Sequence, residues 1–115
     1  MQEKNECWEI HILRPPGLVF EIMIPFTVLE WFVTAKDPAG GNEIWNDWMD
    51  YYPLNNESKD TLQSQMEEDI QIFVEHLFTC ELRVIESKGF FARRHRIEWK
   101  SKAGWEKISL YTSIH

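Results

Sequence analysis

The sequence lacks the short motifs that mark the common nucleotide-binding and hydrolytic sites. It contains no G-x-G-x-x-G, G-x-x-x-x-G-K-[ST], H-E-x-x-H or G-x-S-x-G, spacings that bring backbone amides, a metal ion or a nucleophile into place. Carboxylates are abundant, but a general acid needs a carboxyl group in an apolar pocket, and spacing alone does not identify one. We therefore predict no catalytic residues, no enzyme activity and no cofactor.

Cysteine is scarce, with only Cys7 and Cys80 in 115 residues. Two cysteines do not form the disulfide framework of a small secreted domain, so we expect a reducing, cytoplasmic compartment. Cys7 precedes His11 by four residues, and His76 precedes Cys80 by four, so a zinc site of two cysteines and two histidines is conceivable. The short-loop cysteine pairs of structural zinc sites are absent. We interpret the four residues as separate packing and surface residues, without a metal.

Long hydrophobic runs are also missing. None reaches the roughly 18 residues of a membrane-spanning helix, and the most apolar window, Leu18 to Ala35, is interrupted by Glu21, Pro25 and Glu30. No basic leader precedes a cleavable apolar segment at the start. These absences predict a soluble, unprocessed protein without membrane contact.

Basic residues are rare in the first two thirds of the chain. Residues 1–79 hold 15 acidic and 4 basic residues, a net charge of −11, whereas residues 80–115 carry +4. Between residues 42 and 79 nine acids accompany a single Lys59. Charge of one sign gathered in one region steers an oppositely charged partner. The alternative is a pair of ordinary solvated helix faces, partly neutralised by the basic strands that follow.

Aromatic residues, in contrast, are plentiful. Six Trp, seven Phe and three Tyr, with 43% hydrophobic residues overall, supply enough apolar surface for a core and argue against disorder. A chain of this length corresponds to about one domain. We predict a single domain over residues 1–115.

Two segments near the start alternate apolar and polar residues, as half-buried strands do. The first runs from Cys7 to Leu13 and the second from Leu18 to Ile24. Between them, Arg14 to Gly17 contains two prolines and a glycine, which suit a turn because proline lacks the amide hydrogen. The pattern predicts a β-hairpin.

The segment Phe26 to Ala35 fits either a strand or a short buried helix. Because β-branched and aromatic residues dominate it, we interpret it as a third strand, with apolar residues on both faces and a central place in the sheet. A loop follows, since Asp37 to Gly41 contains a proline and two glycines.

The ten residues from Glu43 to Tyr52 hold four aromatic rings and three acids, a density that no other segment matches. Asn42 can cap a helix at its start, and Pro53 disfavours helical backbone at the residue before it, so we interpret this segment as a helix. Helical spacing places its apolar residues on one broad side and its acids on the other. We expect Ile44, Trp48 and Tyr52 to pack against the sheet, while the sequence leaves open whether Trp45 joins the core or the surface.

The clearest helical pattern lies further along the chain. Leu62, Met66, Ile70, Phe73 and Leu77 recur at intervals of three and four residues. This spacing is the apolar stripe of an amphipathic helix of about five turns. We predict a second, longer helix here, with the neighbouring acids on its solvent side.

Three strands are predicted after this helix, at Glu81–Glu86, Phe91–Lys100 and Trp105–Ile114. The element order is then β-β-β-α-α-β-β-β, without the βαβ alternation that demands parallel pairing. We therefore predict a single α+β domain, a mostly antiparallel sheet of five to six strands with two helices packed on one face.

The one basic patch, Arg93 to Arg96, lies close to three aromatic residues. Cations interleaved with rings can bind phosphates and stack bases. A strand sends alternate side chains to opposite faces, which halves the patch, and the acidic remainder of the chain repels polyanions. We interpret these residues as pairing with the acidic helices of the same chain and do not predict nucleic-acid binding.

A small acidic domain with aromatic and acidic residues side by side is suited to binding a cationic protein. Aromatic anchors dominate interface energetics, and carboxylates complement positive charge. Small immunity proteins that neutralise nuclease toxins are of this general kind, so we predict an immunity- or antitoxin-type inhibitor of a basic toxin domain, of open oligomeric state. The predicted partner-binding residues are acids and aromatics of the two helices: Glu43, Trp45, Asp47, Asp50, Tyr51, Glu67, Glu68 and Asp69.

A different class of function is a small enzyme or ligand-binding domain with a pocket between sheet and helices. Glu21 and Glu30 are isolated acids within apolar strands, and they or His11 would line such a pocket. We expect both glutamates to lie on the solvent side of the sheet instead. A deep polar cavity would favour this alternative, and a filled core would count against it.

Overall fold

The computed structural model describes residues 7–15, 17–37, 41–53, 56–88 and 93–111. Four strands form a first antiparallel sheet in chain order: β1 (Cys7–Arg14), β2 (Leu18–Pro25), β3 (Glu30–Lys36) and β4 (Glu43–Asp50). A helix, α1 (Lys59–Thr79), follows them. Three strands then form a second antiparallel sheet, also in chain order: β5 (Leu82–Lys88), β6 (Arg93–Ser101) and β7 (Gly104–Lys107).

The prediction of one sheet of five to six strands with two helices is therefore wrong. The described residues contain seven strands in two antiparallel sheets, of four and three strands, and one helix. The element order is β-β-β-β-α-β-β-β. The main error lies in one segment, because Glu43–Asp50 forms a strand and not a helix.

β4 is a strand whose side chains alternate between the core and solvent. Trp45, Asp47 and Met49 lie on the core side, and Met49 is buried, whereas Trp48 lies on the other side and is exposed. The sequence does not show this alternation clearly, because a charged residue, Asp47, occupies one of the core-facing positions. Its Oδ2 accepts a hydrogen bond from the amide of Leu110 at 3.0 Å. An inward carboxylate breaks the apolar–polar pattern by which a half-buried strand is identified.

A β-bulge near the start of β4 settles the position of Trp45. Ala35 pairs with Trp45 but Lys36 pairs with Glu43, so Ile44 is the extra residue of the bulge. Both Ile44 and Trp45 pack against the core, while Glu43 remains exposed. Trp45 therefore belongs to the packing side of the sheet.

The N-terminal hairpin is confirmed, and the third strand is shorter than predicted. β1 pairs with β2 along its whole length, from Cys7 opposite Pro25 to Arg14 opposite Leu18. Residues 26–29 form bends, so that β3 starts only at Glu30. As predicted, β3 is central, lying between β2 and β4.

The long helix is confirmed in α1. The Oγ of Ser58 caps it by accepting a hydrogen bond from the amide of Thr61 at 3.1 Å. Met66, Phe73 and Leu77 of the predicted stripe are buried. The helix therefore packs against the core through this apolar stripe.

The end of the chain departs from the predicted last strand. β7 covers only Gly104–Lys107, although the sequence pattern predicts a strand to Ile114. Ile108 and Leu110 are nevertheless buried, and the amide of Ile108 donates to the carbonyl oxygen of Ile97 at 3.0 Å. The part of the predicted strand after residue 111 lies outside the described residues.

The core joins both sheets and the helix. The ring centroids of Trp31 in β3 and Phe73 in α1 are 5.7 Å apart, and those of Phe73 and Trp99 in β6 are also 5.7 Å apart. These contacts place α1 and the second sheet on one side of the first sheet. In the described part of the chain no helix combines the length and apolarity needed to cross a membrane.

Candidate functional site

The side of the first sheet that faces away from the core is called here the outer face. A row of large apolar side chains runs across three of its strands, because Met23 pairs with Phe32 and Phe32 pairs with Trp48. Trp48 is 44% exposed and Met23 39% exposed. An ordered apolar row open to solvent is the kind of surface that a partner covers.

Trp48 is held in place on this face by two contacts. Its ring stacks on that of Phe32, with centroids 6.4 Å apart and planes inclined by 20°. Its Nε1–H donates a hydrogen bond to Oε1 of Glu30 at 3.0 Å. The indole is thus presented in a fixed orientation, which reduces the entropy that a binding partner would have to remove.

Two carboxylates lie beside the apolar row of Met23, Phe32 and Trp48. Glu30 and Asp50 stand directly opposite each other on β3 and β4, beside the exposed Tyr52. A side-chain hydrogen bond to Asp50, together with the negative charge of that carboxylate, raises the pKa of Tyr52 above its ordinary value. Like charges opposite each other on neighbouring strands weaken a sheet.

The remaining charges of the outer face are also mostly negative. Its five described acids stand against one lysine, Lys36, whose Nζ lies 3.2 Å from Oε1 of Glu21. The acids, placed by strand register and bulge, are Glu9, Glu21, Glu30, Glu43 and Asp50. Both Glu21 and Glu30 therefore lie on the solvent side, as predicted from the sequence.

Three of the predicted partner-binding residues point towards the core. Trp45 is half-buried with its ring edge-on to Phe20 at a centroid distance of 6.5 Å. Asp47 accepts from Leu110, as described above, and from the amide of Trp48 at 2.9 Å. Tyr51 is also half-buried.

Tyr51 belongs to an internal hydrogen-bond network with Asp69. The phenol donates to Oδ2 of Asp69 at 2.7 Å and accepts from Nε1 of the buried Trp31 at 3.2 Å. Asp69 is only 2% exposed, and its Oδ1 accepts from Nε2 of Gln65 at 3.1 Å. Burial, followed by the hydrogen bond to Asp69, raises the pKa of Tyr51 well above its ordinary value. Asp69 thus links β3, the end of β4 and α1, rather than facing solvent.

The other predicted residues lie at separate places on the surface. Glu43 is exposed at the start of β4 and accepts a hydrogen bond from Nδ2 of Asn46. Asp50 lies at the other end of that strand, while Glu67 and Glu68 are exposed on α1. The eight predicted residues therefore do not form one patch. Their role in partner binding stays a prediction.

The sequence-based set omitted the central residues of the outer face. Met23, Phe32 and Trp48 come from three strands and meet only through the pairing register. The helical interpretation placed Trp48 and Tyr52 against the sheet, which is wrong because both are exposed. Reading Glu43–Asp50 at period two would have placed Trp48 outward, on the same side as Asp50. The pairing partners themselves have no signal in a single sequence.

An apolar groove lies on the other side of the first sheet, where the ends of β1 and β2 meet the first half of α1. Its volume is about 380 Å³. Besides Lys59, Gln63 and Glu67, it is lined by mainly apolar residues that include Trp8, Ile24, Phe26, Val28, Met66 and Ile70. His11, Glu21 and Glu30, the residues considered for a pocket, are not among its lining residues.

The basic patch of the second sheet pairs with acids of the same sheet in its described part. Oε1 of the buried Glu98 lies 2.6 Å from Nη2 of Arg83, and its Oε2 lies 3.0 Å from Nε of Arg96. Nε2 of His95 lies 3.4 Å from Oε2 of Glu86. The side chains of residues 93 and 94 lie outside the described part. Arg96 is thus engaged internally, as expected, although its partner lies in the sheet and not on a helix.

The cysteines and histidines considered for zinc have separate surroundings. Cys7 and Cys80 are both free thiols. Nδ1 of His76 lies 2.8 Å from the carbonyl oxygen of Ile72, and His11 lies beside Glu9 on β1 at 3.5 Å. Within the described ranges, no group of three or more His, Cys, Asp or Glu residues is arranged to hold a metal ion.

Comparison with known proteins gives no family for this chain. No protein-family model matches it, and neither the curated proteins nor the solved structures contain a significant match.

Proposed function

We propose that this chain is an acidic protein-binding domain that docks on, or blocks, a basic protein through the outer face. The observation that carries the proposal is a row of the exposed Met23 and Trp48 with the half-buried Phe32 between them, bordered by the opposed carboxylates Glu30 and Asp50. Aromatic side chains surrounded by polar groups are the usual energetic centres of protein interfaces. A partner would cover the row and place cations against the two acids.

Electrostatics support a cationic partner. The whole chain carries a net charge of −7, and the outer face concentrates five acids around its apolar row. An acidic surface accelerates encounter with a basic one and disfavours acidic competitors. In this proposal the acids of the outer face determine which partner binds, and the row of Met23, Phe32 and Trp48 supplies most of the contact area.

A narrower form of the proposal is inhibition of a toxin, such as a nuclease, in the cytoplasm. Nucleases bind phosphates through cationic surfaces, and opposed carboxylates offer negative charge to the same groups. We propose a toxin of this class as the partner because the outer face combines acidic and aromatic side chains.

The second candidate function is binding of a small apolar molecule in the groove. A volume of about 380 Å³ lies within the range of small-molecule sites, and the mainly apolar lining is typical of them. The apolar dye anilinonaphthalene sulfonate serves as a probe. Saturable one-site binding that Phe26→Ala weakens would favour this function, and no binding by the folded chain would exclude it.

The experiment for the main proposal is affinity capture from the source cell at low salt, with elution by rising salt. Immobilised wild-type chain should retain a basic protein, and Trp48→Ala and Glu30→Lys/Asp50→Lys should lose it. Glu75→Lys/Glu81→Lys is the matched control, since it changes the net charge equally at two exposed residues outside the outer face. Equal retention by all variants, or retention of no basic protein, would contradict the proposal.

A further inference from the structure

The first sheet has an open edge at β1. Within the described residues β1 pairs only with β2, and β2 lies on one side of it. The other side of this eight-residue strand therefore offers its backbone N–H and C=O groups without a strand partner among the described ranges. Such groups form a template for another strand.

β1 also has few of the features that usually protect an edge strand. It contains no proline and no lysine, and its one arginine, Arg14, is its last residue. Trp8 is 65% exposed and Leu13 is 70% exposed, one on each face of the sheet, and Ile10 is exposed as well. An exposed apolar edge of this length is a site of strand addition unless something covers it.

The sequence of β1 is complementary to itself when two copies run antiparallel. A two-fold axis perpendicular to the sheet keeps each face on its own side, so opposite residues must have the same parity. If the axis passes between the two Ile10 residues, Glu9 of each copy faces His11 of the other, and Trp8 faces Ile12. Centring on His11 instead would place Glu9 opposite Leu13 and the two histidines opposite each other. The first register therefore has the better charge complementarity.

We propose that a second copy of this chain covers the β1 edge, with the two β1 strands paired antiparallel and centred on Ile10. The two four-stranded sheets then form one continuous sheet of eight strands. Glu9 and His11, which lie 3.5 Å apart within one copy, also pair across the interface, twice in each dimer. This proposal is independent of the proposed function, but it places the two outer faces on the same side of the sheet and would make that surface bivalent.

Sedimentation velocity over a concentration series tests the pairing. Two paired strands of this length form an interface at the small end of the usual range of buried area. We therefore expect a dimer dissociation constant of roughly 10–500 μM. Glu9→Lys alone and His11→Glu alone should each weaken the dimer about tenfold, since the first removes the carboxylate that faces His11 and the second places two carboxylates opposite each other, in both cases at two positions. Glu75→Lys, a charge reversal on exposed α1, should have no effect.

Mixing the two variants distinguishes direct pairing from a general loss of structure. In the mixed dimer the lysine introduced at position 9 faces the glutamate introduced at position 11, and the native His11 faces the native Glu9. The equimolar mixture should therefore associate about as tightly as the wild-type chain. A wild-type chain that stays monomeric throughout the series would overturn the proposal, as would a mixture no tighter than either variant alone.

Discussion

Glu30 and Asp50 face each other across β3 and β4 on the exposed side of the first sheet. Each carboxylate also has an aromatic partner, Trp48 for Glu30 and Tyr52 for Asp50. The pair therefore combines two like charges at opposite strand positions with an ordered aromatic surface. Such a surface is suited to a partner that presents cations.

Removing one charge of this pair should stabilise the isolated domain. We expect Asp50→Asn to raise the free energy of unfolding by about 0.2–0.5 kcal/mol, because it removes one of two like charges at directly opposite strand positions. Urea denaturation measures the change, with Glu75→Gln on α1 as the control. Destabilisation by Asp50→Asn would mean that the acid contributes to folding, and would remove the argument that it serves binding.

Trp48 and Trp31 should differ sharply in their effect on stability. Trp31 is fully buried against Phe73, so Trp31→Ala should lower the free energy of unfolding by about 3–5 kcal/mol. Trp48 is 44% exposed, and Trp48→Ala should cost only about 1 kcal/mol. Chemical denaturation of both variants gives the comparison. Similar losses would show that Trp48 is needed for the fold and is not reserved for a partner.

The Tyr51–Asp69 network predicts a loss of stability at high pH. The pKa of Tyr51 is raised above the ordinary value of 10.0, so the folded state binds the phenolic proton more tightly than the unfolded state does. This contribution is complete below pH 10 and is lost as the pH rises above 10 towards the raised pKa. Free energies of unfolding measured between about pH 8 and 11 should fall more for the wild type than for Tyr51→Phe. Parallel curves would show that Tyr51 does not titrate differently on folding.

We expect Asp47 to hold the segment around Leu110 in place by a hydrogen bond, and not to bind a partner. Asp47→Ala removes the acceptor for the amide of Leu110 and should cost about 1–2 kcal/mol of stability. Hydrogen exchange followed by NMR should show faster exchange of that amide, whereas Asp50→Ala should leave it unchanged. An unaltered exchange rate in Asp47→Ala would contradict the hydrogen bond.

The sequence predicted the elements whose polar residues agree with the local pattern. The β1–β2 hairpin alternates cleanly, and α1 carries a stripe of buried residues such as Met66 and Phe73. Glu21 and Glu30 could also be placed on the wet side of their strands. In these segments the spacing of the apolar residues indicates both the type of element and the side that faces the core.

Two of the failures, at Glu43–Asp50 and at Asp69, occurred where a polar residue points inward. Asp47 in β4 is satisfied by Leu110, and Asp69 in α1 by Tyr51 and Gln65. These partners, apart from Gln65, are distant in sequence, and only the assembled fold makes the burial of the carboxylates acceptable. Local pattern therefore assigned Glu43–Tyr52 to a helix and Asp69 to the surface. The outer face could not be found for the same reason, since its row depends on pairing between three strands.

The most direct measurement of the central claim is the rate of association between this chain and the basic protein that the proposal expects it to capture. At about 50 mM salt, Glu30→Lys/Asp50→Lys should slow association by roughly tenfold, and the difference should shrink at about 300 mM because exposed charges are screened. Glu75→Lys/Glu81→Lys carries the same net charge and should slow it far less. An equal effect of the two double variants would contradict the account, since the partner would then sense only the total charge and not the outer face.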